Sequence, residues 1–213
     1  MKNVILALLF FLPLRIFAQY SSSSIKFGYF NPSATEGGFI IGYQGAKYFD
    51  ADFNIGWSVD WFHKSYIDQK LVTEFTSFYG IPNSSINELR AKTNLHNIPI
   101  MFSVSMERYL VPRIKGYITA GAGLEVLLIF YRNFQNPDKN EIKSAFDFGW
   151  QIGSGVQFQI GRRSDLVFEV AYHSSHPSWT YEVSDPTNNY RRILEREFDM
   201  SGILVRIGFK FYY

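Results

Sequence analysis

No cysteine occurs among the 213 residues. That excludes a disulfide framework, a Cys-ligated metal site and a lipid-modified cysteine at an export cleavage point. Long hydrophobic runs are missing too. Beyond residue 18 no stretch of 18 apolar residues occurs, and the most apolar span, Ile118 to Phe130, is interrupted by Gly121, Gly123 and Glu125. A spanning helix needs about 20 consecutive apolar residues, so a helical membrane protein is not expected. Charge of one sign is equally scarce, with 21 basic residues against 19 acidic ones.

What is there begins with residues 1–18, which read as a cleavable secretory signal peptide. Lys2 supplies the positive start, Val4 to Leu12 the apolar run, and Ile16-Phe17-Ala18 the cleavage site before Gln19. The apolar run is nine residues long before Pro13, too short for a membrane anchor. Removing the signal takes away Lys2 and Arg15 and no acid, leaving 19 basic and 19 acidic residues and a net charge of zero. The basic residues are scattered, and the one cluster, Arg191, Arg192 and Arg196, is mixed with Glu195 and Glu197. No nucleic-acid partner is expected from such a balance, whereas lipid phosphate headgroups are compatible with it.

Residues 19–213 read as one domain, and residues 145–160 set its character. Phe146, Phe148, Trp150, Ile152, Ser154, Val156, Phe158 and Ile160 alternate with Asp147, Gly149, Gln151, Gly153, Gly155, Gln157 and Gln159. Successive side chains of a strand point to opposite faces, so this strand has one apolar face and one face of Gly, Gln and Asp. Strands of soluble sheets run about 5 to 6 residues, and a tilted strand crosses a bilayer with roughly 9 to 11.

The same period recurs in eight segments, expected at about 24–31, 37–46, 51–65, 95–107, 115–130, 145–160, 165–174 and from 202 onward. Outward residues include Ile25, Phe27 and Tyr29 in the first, Trp57 in the third, Ile100 and Phe102 in the fourth, and Leu124 in the fifth. The connections 47–50, 108–114 and 161–164 are short, while 66–94, 131–144 and 175–196 are long; only 32–36 breaks the contrast. Short turns at one end and long loops at the other, with an even number of antiparallel strands, predict an all-β fold: an eight-stranded, antiparallel up-and-down transmembrane β-barrel. Trp61, Phe130, Phe146 and Tyr172 fall near the long-loop ends, and Phe53, Phe158, Phe211 and Tyr213 near the short turns, as two interfacial girdles would place them.

The segment ending at Tyr213 carries Arg206, Gly208, Phe209, Phe211 and Tyr213. It resembles the C-terminal signal through which the outer-membrane assembly machinery recognises its barrel clients. With Leu95-His96-Asn97-Ile98-Pro99-Ile100, Gly116 to Gly123, Asp147-Phe148-Gly149 and Gly153-Ser154-Gly155, the chain from 19 to 213 resembles the small porin-like outer-membrane β-barrel families, which include the OmpA and OmpX barrels and the PorT-type barrel domain. The resemblance implies location and architecture, with outer-membrane lipid, lipopolysaccharide and the assembly machinery as partners. It implies no cofactor and no catalysis.

An eight-stranded barrel is just wide enough for side chains to fill it. Its expected inward set is Lys26, Asp60, Glu125, Asp147, Gln151, Glu169, Arg206 and Lys210, acids and bases together. Enclosed charges must pair, so a polar network plugging the interior is expected, with Glu169 and Arg206 meeting on adjacent strands. A narrow channel for small solutes is the alternative. A lipid A modifying enzyme is another, because His173 and Ser175 resemble the His-x-Ser pair of the outer-membrane lipid A deacylases. His176 takes the place of the Asn those enzymes carry after the Ser, and Glu182 and Asp185 do not stand at the spacing of their acid. By parity, His173 and Ser175 also point inward, away from lipid. His173 and His176, three residues apart, lack further ligands for zinc, and neither His63 nor His96 has a visible reason to join them. A soluble lipocalin-like barrel would need the apolar outer face covered. Loops 66–94 and 175–196, with Tyr66, Phe75, Phe78, Tyr79, Trp179, Tyr181 and Tyr190, either offer a surface to a partner or pack among themselves into a cap over the barrel.

Overall fold

The computed structural model describes residues 20–67, 92–132, 140–184 and 191–213, with Val72. The expected signal peptide and most of loop 66–94 lie outside the described residues. Among the described residues ten strands follow one another: β1 (Ser21–Pro32), β2 (Gly38–Tyr48), β3 (Phe53–Ile67), β4 (Lys92–Val111), β5 (Ile114–Arg132), β6 (Asn140–Gln159), β7 (Ser164–Ser174), β8 (Ser178–Ser184), β9 (Arg191–Glu197) and β10 (Gly202–Tyr212). Eight of them close an antiparallel barrel in the order β1-β2-β3-β4-β5-β6-β7-β10, and β10 returns to β1. Every barrel strand pairs with its neighbour in sequence except across the β8–β9 hairpin, which is inserted between β7 and β10 as a separate two-stranded sheet. This hairpin falls inside what the sequence presents as loop 175–196.

Register fixes the barrel's shape. Stepping from partner to partner, Ser22 leads through Ala46, Gly56, Ser103, Gly121, Gln151, His173 and Gly202 back to Pro32, ten residues from the start. Ten residues of stagger are about 33 Å, and eight strands measure about 38 Å across, perpendicular to their direction, so the strands tilt by about 40°, as closed barrels do. Along β6, the outward residues from Phe146 to Phe158 then span roughly 30 Å of the barrel's axis.

The alternation expected from sequence decides which face is which. Tyr29, Phe39, Trp57, Phe102, Leu124, Phe148, Phe168 and Ile207, one from each barrel strand, are all exposed on the outer wall. The expected girdle residues at the short-turn end, Phe53, Phe158, Phe211 and Tyr213, are exposed as well. Aromatics are not confined to two bands, however: Trp57 pairs with Phe102 and Tyr43 lies beside Trp57, well within the strands.

The turn expected over 108–114 closes much more tightly, with only Pro112 and Arg113 between β4 and β5. Proline fixes its own φ near −65°, which excludes the primed turns that best suit hairpins. Arg113 adopts φ 70° instead, as position i+2 of a type II turn requires. Such turns splay the strands, and a register shift between Tyr109 and Val111 absorbs the misfit.

Candidate functional site

The interior is built in layers. At the long-loop end Phe30, Phe62, Leu95, Leu127, Met200 and Leu204 form a buried apolar cluster. Sequence parity leads to a polar interior throughout, and here the structure differs. Met200 and Phe198 come from the segment after β9, which folds back onto the barrel. Its backbone is anchored by Met200 N–H to the Ser175 carbonyl at 3.0 Å, Phe198 N–H to Pro177 at 2.9 Å, and Ala34 N–H to Asp199 at 2.8 Å. Apolar residues that the barrel wall turns inward therefore meet an apolar plug.

Beneath the plug Glu125, fully buried, lies 2.6 Å from His173 Nε2. Gly149 stands between them on β6, where an added Cβ would come within 3.2 Å of the His173 ring and 3.4 Å of the Glu125 carboxylate. Ser175 Oγ approaches the same Nε2 at 3.3 Å, and Nδ1 has no partner among the described residues. A catalytic relay uses one ring nitrogen for the acid and the other for the serine. His173 and Ser175 are both 2% exposed and face the interior.

The middle layer is centred on Arg206. Its Nε donates to Glu169 Oε1 at 3.0 Å, one terminal nitrogen also pairs with Glu169, and the other reaches Asp60 Oδ1 at 2.7 Å across the interior. Glu169 also accepts from Lys26 Nζ at 2.6 Å and from the Tyr117 hydroxyl at 2.8 Å. Gly42, opposite Asp60 in the β2–β3 register, makes this possible, because a Cβ there would overlap Asp60 Oδ1. Burying these charges is tolerable because nearly every one is paired and hydrogen-bonded.

A third layer gathers on Glu107, which pairs with Lys210 and accepts from the Tyr48 hydroxyl at 2.9 Å and from Asn54 Nδ2 at 2.8 Å. Toward the short turns, the Tyr212 hydroxyl donates to Asp165 at 2.6 Å. Two cavities of about 20 Å³ each flank the Arg206 and Glu107 layers. Each has room for about one water.

Among the expected interior residues, the structure joins Lys26, Asp60, Glu169 and Arg206 in one cluster, Lys210 in a second and Glu125 in a third. Asp147 stands apart, half-buried at the rim, where it accepts the backbone N–H of His176. Gln151 lines the cavity beside Arg206.

No protein-family profile matches this sequence, and no curated protein matches it. Solved structures do. The chain is similar to a major outer membrane protein from Thermus thermophilus, with a TM-score of 0.58 at 10% identity over 91% of this chain and 99% of that one. It is similar to the outer membrane protein OprG from Pseudomonas aeruginosa, with a TM-score of 0.56 at 10% identity over 91% and 96%. Neisserial surface protein A gives a TM-score of 0.51 at 11% identity over 90% and 95%. The fold is that of the small outer-membrane β-barrels.

For an outer-membrane β-barrel fold, the interior residues that sequence reasoning missed are Glu107, Tyr48, Tyr117 and the contact between Glu125 and His173. Glu107 shares the inward parity of Asn97, Ser103 and Ser105, so extending the β4 pattern by one position identifies it. Tyr48 lies in the expected 47–50 turn yet ends β2, 1% exposed. On the outside, His63 and His96 are register partners with ring centroids 4.4 Å apart, bracketed by Trp61 and Phe130. They meet each other and not His173 or His176.

Proposed function

We propose that this protein is exported and inserted into the outer membrane of a two-membrane bacterium. There it spans the bilayer with its eight barrel strands and serves a structural or surface-interaction role without catalysis. The observation that carries this reading is the belt of large exposed apolar side chains running around a closed barrel, some 30 Å tall on β6, over an interior of buried ion pairs. Soluble monomers rarely expose a contiguous apolar patch beyond a few hundred Å². A bilayer's hydrocarbon core, about 30 Å thick, covers a belt of this height. Closure leaves no backbone group unpaired toward lipid.

Short turns then face the periplasm and long loops the exterior. The strands β4, β5 and β6, with 20, 19 and 20 residues, are longer than the belt requires. At the same tilt they rise about 50 Å, roughly 20 Å above the belt. The β8–β9 hairpin extends the same surface, and Trp179 at its base stacks on Phe198 with centroids 4.7 Å apart. These elements, with loops 66–94 and 175–196, are the surface on which lipopolysaccharide or a protein partner is met. During biogenesis the terminal strand, with Arg206, Gly208, Phe209, Phe211 and Tyr213, is read by the assembly machinery.

A narrow channel has less support, because the interior is divided among an apolar plug, ion-paired layers and water-sized cavities. Lipid modification has less still, since His173 and Ser175 face away from the belt. Cell fractionation with electrophoresis before and after boiling tests the proposal. A heat-modifiable band in the outer-membrane fraction is the expected result; a soluble periplasmic protein whose mobility does not change on boiling overturns it.

A further inference from the structure

At the short-turn end the barrel opens into a cleft of about 340 Å³, lined by Tyr109, Lys115, Arg162, Arg163, Tyr212 and Tyr213 among others. Lys115 is held over two rings, 5.0 Å from the centroid of Tyr109 and 5.2 Å from that of Tyr212. Arg162 and Arg163 are exposed in the turn between β6 and β7, and neither they nor Lys115 form an ion pair among the described residues. The cleft's single side-chain carboxylate, Asp165, is 3% exposed and already accepts the Tyr212 hydroxyl, and the terminal carboxylate of Tyr213 is the other anion in the lining. Three cations thus outnumber the two carboxylates of the opening, one of which, Asp165, is already committed to Tyr212.

The surroundings of the cleft are of the opposite character. Leu110 and Val111 at the β4–β5 turn are 64% and 51% exposed, and Ile160 beside Arg162 is 52% exposed. Tyr109 and Tyr213, 61% and 69% exposed, lie at the edge between the two regions, where an amphipathic ring sits at a membrane interface. A ligand that satisfies both regions has an anionic head and an apolar tail. A soluble anion would use only the cations and leave Leu110, Val111 and Ile160 bare.

We propose that this cleft seats the phosphate headgroup of an anionic phospholipid of the periplasmic leaflet, with its acyl chains against Leu110, Val111 and Ile160. The proposal rests on the membrane-spanning reading above. Guanidinium groups match phosphate oxygens in a bidentate fork, and Lys115 adds a point charge held in place by its two rings.

The test is native mass spectrometry of the full-length barrel released in mild detergent and equilibrated with equimolar phosphatidylglycerol and phosphatidylcholine. Wild-type protein is expected to retain phosphatidylglycerol in preference by at least roughly ten-fold. Arg163→Gln should lower that preference about five-fold, and the triple change K115Q/R162Q/R163Q should abolish it. Heat-modifiable migration of each variant shows that it is folded. Equal retention of the two lipids by wild type, or an unchanged preference in the folded triple variant, overturns the proposal. So does displacement of the phospholipid by millimolar inorganic phosphate, which assigns the cleft to a soluble anion. Absence of any heat-modifiable band from the membrane fraction overturns the membrane-spanning reading along with it.

Discussion

Replacing Arg206 by Met removes a guanidinium that serves two buried carboxylates, Glu169 and Asp60, on opposite sides of the interior. Glu169 would keep Lys26 and Tyr117, whereas Asp60 would lose its only ion-pair partner among the described residues. Breaking one partner out of a buried pair costs about 3–5 kcal/mol, so Arg206→Met is expected to lower the urea midpoint of the refolded barrel by that equivalent. An unchanged midpoint would mean that the Arg206 layer adds nothing to stability. Gly42 offers a second probe. Gly42→Ala drives a methyl into Asp60 Oδ1, which should cost about 1–3 kcal/mol in the wild type. In an Asp60→Ala background the methyl meets no carboxylate, so the two changes together should cost clearly less than the sum of the singles. Strict additivity of the two would contradict the contact.

At the scale of elements, the β4–β5 turn holds Arg113 at φ 70° only because Pro112 excludes the turns that suit a hairpin. A side chain there costs about 1 kcal/mol relative to glycine, so Arg113→Gly should raise the unfolding free energy by about that amount, read from equilibrium urea unfolding. The β8–β9 hairpin makes the opposite case. It pairs only with itself, and excising its tip between residues 182 and 193 leaves every barrel ladder intact. The shortened protein should keep its heat-modifiable migration, and if the hairpin meets a partner, binding to the cell surface or to lipopolysaccharide should fall; loss of the folded band would show that the hairpin is part of the barrel's own stability. Barrel strands were legible in the sequence because their apolar face meets one uniform environment for 11 residues or more. The hairpin was not: β8 and β9 are seven residues each and mix Trp, Tyr and Ile with Arg and Glu, so no period stands out. The tight β4–β5 turn was obscured for a related reason, since Leu110 and Val111 interrupt the alternation where the bulge lies.

For the whole molecule, the orientation of its two faces is the property that a bilayer and water judge oppositely. Ile152 is 51% exposed near the middle of the outer belt. Ile152→Arg should cost about 2–4 kcal/mol for a barrel folded in phospholipid vesicles, and close to nothing for a barrel surrounded by water. Comparing urea unfolding of the variant and wild type in vesicles measures this directly, and a negligible difference there would remove the belt from the membrane.

The sequence by itself determined the number of barrel strands, the face each presents and the alternation of short and long connections. Each of these is written locally, in parity and in the distance between neighbouring apolar runs. Tertiary structure alone decided which enclosed charges meet. Lys26 reaches Glu169 across 143 positions of sequence and Arg206 reaches Asp60 across 146, through a ten-residue stagger that emerges only when β10 closes on β1. It likewise decided that Met200 and Phe198 fold back to complete an apolar plug with Phe30, Phe62, Leu95 and Leu127. Inward parity is a property of a residue and its neighbours, whereas partnership across the interior is a property of the closed ring.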